Sequence, residues 1–313
     1  MKSFYAPGKI LLCGEYFVTI GIEALALPIK LGQHLRVWEF EAKNDWKLVW
    51  QSKRADASVW FEMSVSMEQL LLTPEELEEE FAGNAVAQRL LELLLALPSS
   101  LWKRGISVRF ESELEFDSSW GLGTSSSLVV TLARWANMDP MELQKKVFGG
   151  SGYDAAVAHS GKPIVYKLQD SQPHWMSWSL PSEFTKNWWV VMVGKKQNSR
   201  TSLAAVKEKV ESFVEEPFLY HQMIQLMKRL KEAKDLPTIE AGLELYQAIS
   251  AAMLGLQNTY ETYNWEPVKG GLCKWLGAWG GDMMLVNDVF YYKHRSEIDQ
   301  MTKFRWNDLV INQ

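Results

Sequence analysis

Residues 120–127 read Trp-Gly-Leu-Gly-Thr-Ser-Ser-Ser and run straight into the apolar stretch Leu128 to Ala136. Glycines let a backbone approach an anion closely. Hydroxyls and the free N–H groups of a helix start then complete an anion cradle, aided by the helix dipole. No Gly-Lys-Ser/Thr follows, so this is not a Walker A loop. The same residues also read as a plain strand-to-helix connection in which a serine caps the helix. What lies on either side decides between the two.

Upstream stands Ala6-Pro7-Gly8-Lys9-Ile10-Leu11-Leu12-Cys13-Gly14-Glu15-Tyr16. A Lys at the end of a Pro-Gly turn, entering an apolar strand, can hold its ammonium in a cleft. It can equally be a solvated strand-edge residue, and Glu15 a solvated turn residue. Downstream, Gly149-Gly150-Ser151-Gly152-Tyr153-Asp154-Ala155-Ala156 places Asp154 in the first turn of a tightly packed helix. Such an Asp either compensates the helix dipole or serves as a base or orienting group. A fourth segment, Lys274-Trp275-Leu276-Gly277-Ala278-Trp279-Gly280-Gly281-Asp282, precedes an apolar strand and also reads as a hairpin loop.

Taken in this order, the four segments resemble the GHMP kinase superfamily, which includes galactokinase, homoserine kinase, mevalonate kinase and phosphomevalonate kinase. The resemblance runs from Ala6 to about Val286. APGKILLCGEY is similar to the family's first motif, GLGTSSS to its second, and SGYDAA to the segment holding its catalytic aspartate. GSGYDAAVAHSGKPIVY and GAWGGD look most like the phosphomevalonate kinase branch. Gly194 with Ser199-Arg200-Thr201 is similar to that branch's acceptor-side segment.

The resemblance implies an α+β, two-lobed fold with an ATP cleft between lobes, here residues 1–175 and 176–313. Gly121, Leu122, Gly123, Thr124, Ser125 and Ser126 would bind ATP phosphates. Asp154 would be catalytic, with Lys9 its partner. Glu15, Ser151, Gly152, Tyr153, Ser199, Arg200, Thr201, Gly277, Gly280 and Gly281 would line the substrate side. The cofactors implied are ATP and Mg²⁺, with Ser125 and Glu142 as candidate metal contacts. The reaction implied is transfer of the ATP γ-phosphoryl to an alcohol or phosphate acceptor of mevalonate or phosphomevalonate type. A diphosphomevalonate decarboxylase-like enzyme, a sugar or homoserine kinase, and a catalytically silent nucleotide-binding paralogue are the alternatives.

Three departures stand out. Trp279 occupies a position where the family carries a small glycine. Asp117-Ser118-Ser119 replaces the usual Pro before the GLG segment. The Mg²⁺-binding Glu of some relatives falls on Leu143, one step from Glu142.

Composition narrows the class further. The chain has 313 residues, 47% hydrophobic and 23% charged, enough for one large domain or two lobes. Lys+Arg 33 against Asp+Glu 38 gives −5, without a basic block. Nucleic acid and anionic membranes are therefore poor partners, and a small-molecule acceptor is the expected one. A homodimer is left open. Cys13 and Cys273 cannot make a disulfide framework, so the expected location is cytoplasmic. No apolar run reaches the roughly 18 residues of a spanning helix. The N-terminal stretch does not read as a signal peptide.

The pattern predicts strands at 4–12, 106–115, 163–167, 188–193 and 283–286, with a further apolar run at 24–27. It predicts a hairpin over 38–50 turning at Asn44-Asp45, because Trp38 and Phe40, then Trp46, Leu48 and Trp50, alternate with polar residues. Helices are expected over 73–97 with a capping box at Thr73, and at 128–136, 140–147, 153–160, 201–214, 217–234 and 238–256.

Overall fold

The computed structural model describes residues 1–42, 46–66, 69–71, 76, 79–193, 199–277 and 283–313, with backbone only at 71 and 199–203. The strands are β1 (Lys2–Cys13), β2 (Ala24–Glu41), β3 (Lys47–Lys53), β4 (Val59–Ser66), β5 (Ile106–Leu114), β6 (Ile164–Gln169), β7 (Gln172–Ser177), β8 (Trp188–Met192), β9 (Cys273–Leu276), β10 (Met283–Asn287) and β11 (Lys303–Arg305). The longer helices are α1 (Ala85–Leu95), α2 (Thr124–Ala136), α3 (Pro140–Val147), α4 (Tyr153–Ser160), α5 (Ser199–Ser212), α6 (Pro217–Glu232) and α7 (Leu236–Leu254). The fold class is α+β, as expected. Contacts gather into two compact units, each assembled from separate stretches. One holds Met1–Gly8, Leu31–Ser118 and Thr124–His159; the other holds Lys9–Lys30, Ser119–Gly123 and Ser160–Gln313.

In the first unit the strands run β4-β3-β5-β2. Leu35 and Val37 of β2, Leu48 and Trp50 of β3, and Val108 and Phe110 of β5 turn inward at every second position. Leu90, Leu91 and Leu94 of α1 and Val129, Leu132 and Trp135 of α2 cover that face. Trp50 stacks on Phe110 at 5.1 Å between centroids, and Trp135 meets Phe110 edge-on at 4.9 Å.

The second unit pairs the start of β2 (Ala24–Ala26) with β6, and β6 with β7. Its other sheet runs β11-β8-β10-β9. Cys273, Trp275, Met284, Val286 and Phe290 form the core behind this sheet. Trp188 and Trp306 meet edge-on at 5.3 Å, and the Trp188 Nε1–H donates to Glu240 Oε1 at 2.7 Å. Much of the tryptophan content thus fills the interior.

Several expectations are corrected. No hairpin joins 38–41 to 47–50: β5 lies between them, antiparallel to β2 and parallel to β3. The apolar run 24–27 is the start of an 18-residue strand. The single helix over 73–97 is broken at Phe81–Gly83, where Gly83 takes a left-handed φ of 83°. Asn84 then caps α1 by accepting from the Ala87 N–H. The Thr73 cap lies outside the described residues. Pro7-Gly8 is no turn but the middle of β1, buried from Ala6 to Cys13.

Candidate functional site

The glycine segment is a turn held from both sides. Gly121 and Gly123 have φ of 69° and 93°, which side chains with a Cβ rarely adopt. Between them, the Leu122 side chain is fully buried and its carbonyl accepts the Lys9 N–H at 2.8 Å. Strand β1 therefore anchors the turn at its centre. Trp120, just ahead, meets Phe304 of β11 edge-on at 5.4 Å.

Helix α2 begins at Thr124, four residues earlier than periodicity predicts. Thr124, Ser125 and Ser126 thus form its first turn. No acidic residue stands in that turn to neutralise the positive end of the dipole. Ser125 is exposed, whereas Ser126 is buried. Ser127 is structural: its hydroxyl donates to Gln33 Oε1 at 2.7 Å and reaches the Thr124 carbonyl at 3.1 Å.

The aspartate segment is also fixed by glycines. Gly149, Gly150 and Gly152 have φ of 61°, 70° and 76°, and Ala156 N–H donates to the Gly152 carbonyl. Ser151 and Tyr153 are half-buried beside Gly152. Asp154, half-buried, sits in the first turn of α4, while Ala155 to Ala158 are fully buried. Ala158 packs with Val130 of α2 and Ala6 of β1, all at zero exposure. Arg134 of α2 donates to the His159 carbonyl at 3.1 Å and to the Tyr5 carbonyl. The aspartate helix and the glycine-loop helix thus share one buried cluster and the Arg134 hydrogen bond.

Lys9 is not a solvated edge residue: it is 8% exposed within β1. Glu15 is not a solvated turn residue either, at 3% exposure. Its Oε1 accepts from Lys274 Nζ at 2.8 Å, with both side chains buried. Burial pushes the Glu15 carboxyl above its ordinary value, and the Lys274 ammonium pulls against that shift. Lys274 was not singled out by the sequence. Its only signal is a charge inside the otherwise apolar run Cys273–Leu276, every residue of which is buried.

Gly277 follows β9 with φ of 76°. Trp279, Gly280 and Gly281 lie outside the described residues. So do the side chains of Ser199, Arg200 and Thr201, although the backbone of α5 starts at Ser199. Glu142 is exposed in the first turn of α3, and Leu143 is fully buried core. Among the described residues no three His, Cys, Asp or Glu side chains converge as a metal site. Also among the described residues, no helix is long and apolar enough to cross a membrane.

No family model matches the chain, and no curated protein matches it. Solved structures do. The mevalonate kinase of L. major, in complex with R-mevalonate, superposes with a TM-score of 0.67 at 16% identity, over 100% of this chain and 96% of that one. The Streptococcus pneumoniae phosphomevalonate kinase, in complex with phosphomevalonate and AMPPNP, gives 0.64 at 15% identity over 98% and 97%. The Lactococcus lactis galactokinase complexed with galactose gives 0.69 at 12% identity over 100% and 94%. The chain therefore has the fold of the GHMP kinases.

Proposed function

We propose that this chain is an ATP-dependent small-molecule kinase of the GHMP superfamily. The observation that carries the reading is the glycine turn. Two left-handed glycines deliver the chain into a Thr-Ser-Ser helix start that has no acidic residue in its first turn. Such a start suits an anion such as a polyphosphate. ATP with Mg²⁺ would supply the transferable phosphoryl group and offset its charge. The N–H groups of Thr124 and Ser125 would hold phosphate oxygens, and the Ser125 hydroxyl would reach the metal. Asp154 would accept or orient the proton of the acceptor hydroxyl, and Lys9 would offset charge developing at the transferred group.

The acceptor proposed is a phosphomonoester of phosphomevalonate type. Lys195, Lys196 and Arg200 supply cationic residues in one short segment, and Arg suits bidentate phosphate contact. Arg200→Ala should raise the acceptor KM and leave the KM for ATP little changed. Turnover of mevalonate or a sugar but not its phosphate, with Arg200→Ala silent, would remove the phosphomonoester and leave the kinase. Calorimetric titration with ATP tests the kinase itself. Binding heat that requires Mg²⁺ supports it, and no heat or thermal shift at millimolar nucleotide overturns it.

A further inference from the structure

Glu15 and Lys274 are 259 residues apart in sequence and form an ion pair from which water is excluded on both sides. The Lys274 ammonium is fully engaged. It donates to Glu15 Oε1 at 2.8 Å and to the Trp275 carbonyl at 2.6 Å, and lies 5.3 Å from the Tyr246 ring centroid. The Tyr246 hydroxyl in turn donates to the Glu15 carbonyl at 3.2 Å. Glu15 Oε2 is buried with no hydrogen-bond partner among the described residues. Leaving a carboxylate oxygen in that state is costly, and a pair made for stability alone gains little over apolar residues of the same shape.

The backbone around Glu15 shows what the pair restrains. Gly14 has φ of 107°, and a Cβ there would lie 2.5 Å from the Ala24 Cα. Tyr16 has a left-handed φ of 63°, a conformation such residues keep only when their surroundings impose it. Lys274 sits in β9, three residues before the left-handed Gly277.

We infer that Glu15 and Lys274 are a positioning pair: the ion pair holds the strained Gly14–Tyr16 turn and the end of β9 in one frame. Glu15 then acts through Lys274 and does not touch substrate. This rests on the kinase reading for its catalytic consequence, but not for its structural one.

Two thiols report the frame directly. Cys13 lies two residues before Glu15 and Cys273 immediately before Lys274, both fully buried. The test is a double-mutant cycle of Glu15→Gln, Lys274→Met and the two combined, with Lys274→Arg as the conservative variant. Three readouts are the rate of native-state thiol modification, the melting temperature, and kcat and KM. Lys274→Met, which strands a buried carboxylate, should melt lowest, by roughly 10 °C, and the double variant should recover most of that loss. Each single substitution should speed modification of both thiols, the remote one included. The double variant should be no faster than the faster single. In the folded double variant kcat should fall roughly tenfold or more with acceptor KM within about twofold, and Lys274→Arg should restore part of it. Wild-type kcat in a folded double variant overturns the inference. So does a higher acceptor KM in Glu15→Gln with Lys274→Met unaffected, which would make Glu15 a substrate contact. Should the wild-type protein not turn over ATP with any acceptor, the kinase reading fails by itself. Thiol coupling across the cycle then decides the pair: exposure of both thiols, without additivity, sustains it, and independent local effects overturn it.

Discussion

The backbone N–H of Lys9 donates to the carbonyl of Leu122 at 2.8 Å. One hydrogen bond thus joins the first motif of the chain to the centre of its glycine turn. It uses only main chain, so the Lys9 side chain can be changed without removing the tether.

Lys9→Met should keep the main-chain tether while lowering kcat roughly a hundredfold, by removing charge stabilisation from the transferred group. Steady-state kinetics beside a thermal melt checks this. A comparable loss of stability and activity would make Lys9 a packing residue.

Gly123→Ala should act on nucleotide binding. At φ of 93° a Cβ is strained, at a cost of about 1–2 kcal/mol. It also stands where the turn would meet phosphate. The expected result is a KM for ATP raised more than that for the acceptor, measured by varying each substrate in turn.

How much of this was legible follows from what each signal encodes. The glycine and serine runs at 121–127 and 149–154 name their own backbone conformations, and the structure gives both left-handed glycines and helix starts there. Alternation in 38–50 encoded which faces are buried, not which strand is the neighbour, and β5 arrives from 60 residues away to separate the two runs. The apolar run starts helix α2 at Leu128, since Thr and Ser have modest helix propensity, whereas burial of Ser126 and Ser127 and the Ser127 hydrogen bond to Gln33 accompany a start at Thr124. The Glu15–Lys274 pair was illegible, since no local pattern reports a partner 259 residues distant.

Acid stability should depend on Glu111. Burial raises its carboxyl, but hydrogen bonds from Lys53 and Arg36, at 2.7 and 2.8 Å, outweigh this and hold it below its ordinary value of 4.5. A lowered folded value means that the stabilisation is fully present above pH 4.5 and is lost as pH falls below it. Glu111→Gln should lower stability at pH 7 and flatten the acid limb, as read by urea unfolding between pH 3 and 7. An unchanged acid limb would assign the loss to other carboxylates.

Both cysteines should be silent in the native state. Burial pushes the Cys13 thiol far up and the Cys273 thiol up to about 12, and neither is exposed. Alkylation without reductant should modify neither before unfolding and both after it, by mass spectrometry. A thiol that still resists after unfolding would indicate a cross-link.

The most direct test of the kinase assignment is ADP release with Mg-ATP over a panel of mevalonate, phosphomevalonate, galactose and homoserine, comparing the wild-type protein with Asp154→Asn. Acceptor-dependent release by the wild type is expected, with a loss of roughly a hundredfold or more in Asp154→Asn. Release that ignores the acceptor, or that survives Asp154→Asn at the wild-type rate, would contradict the assignment.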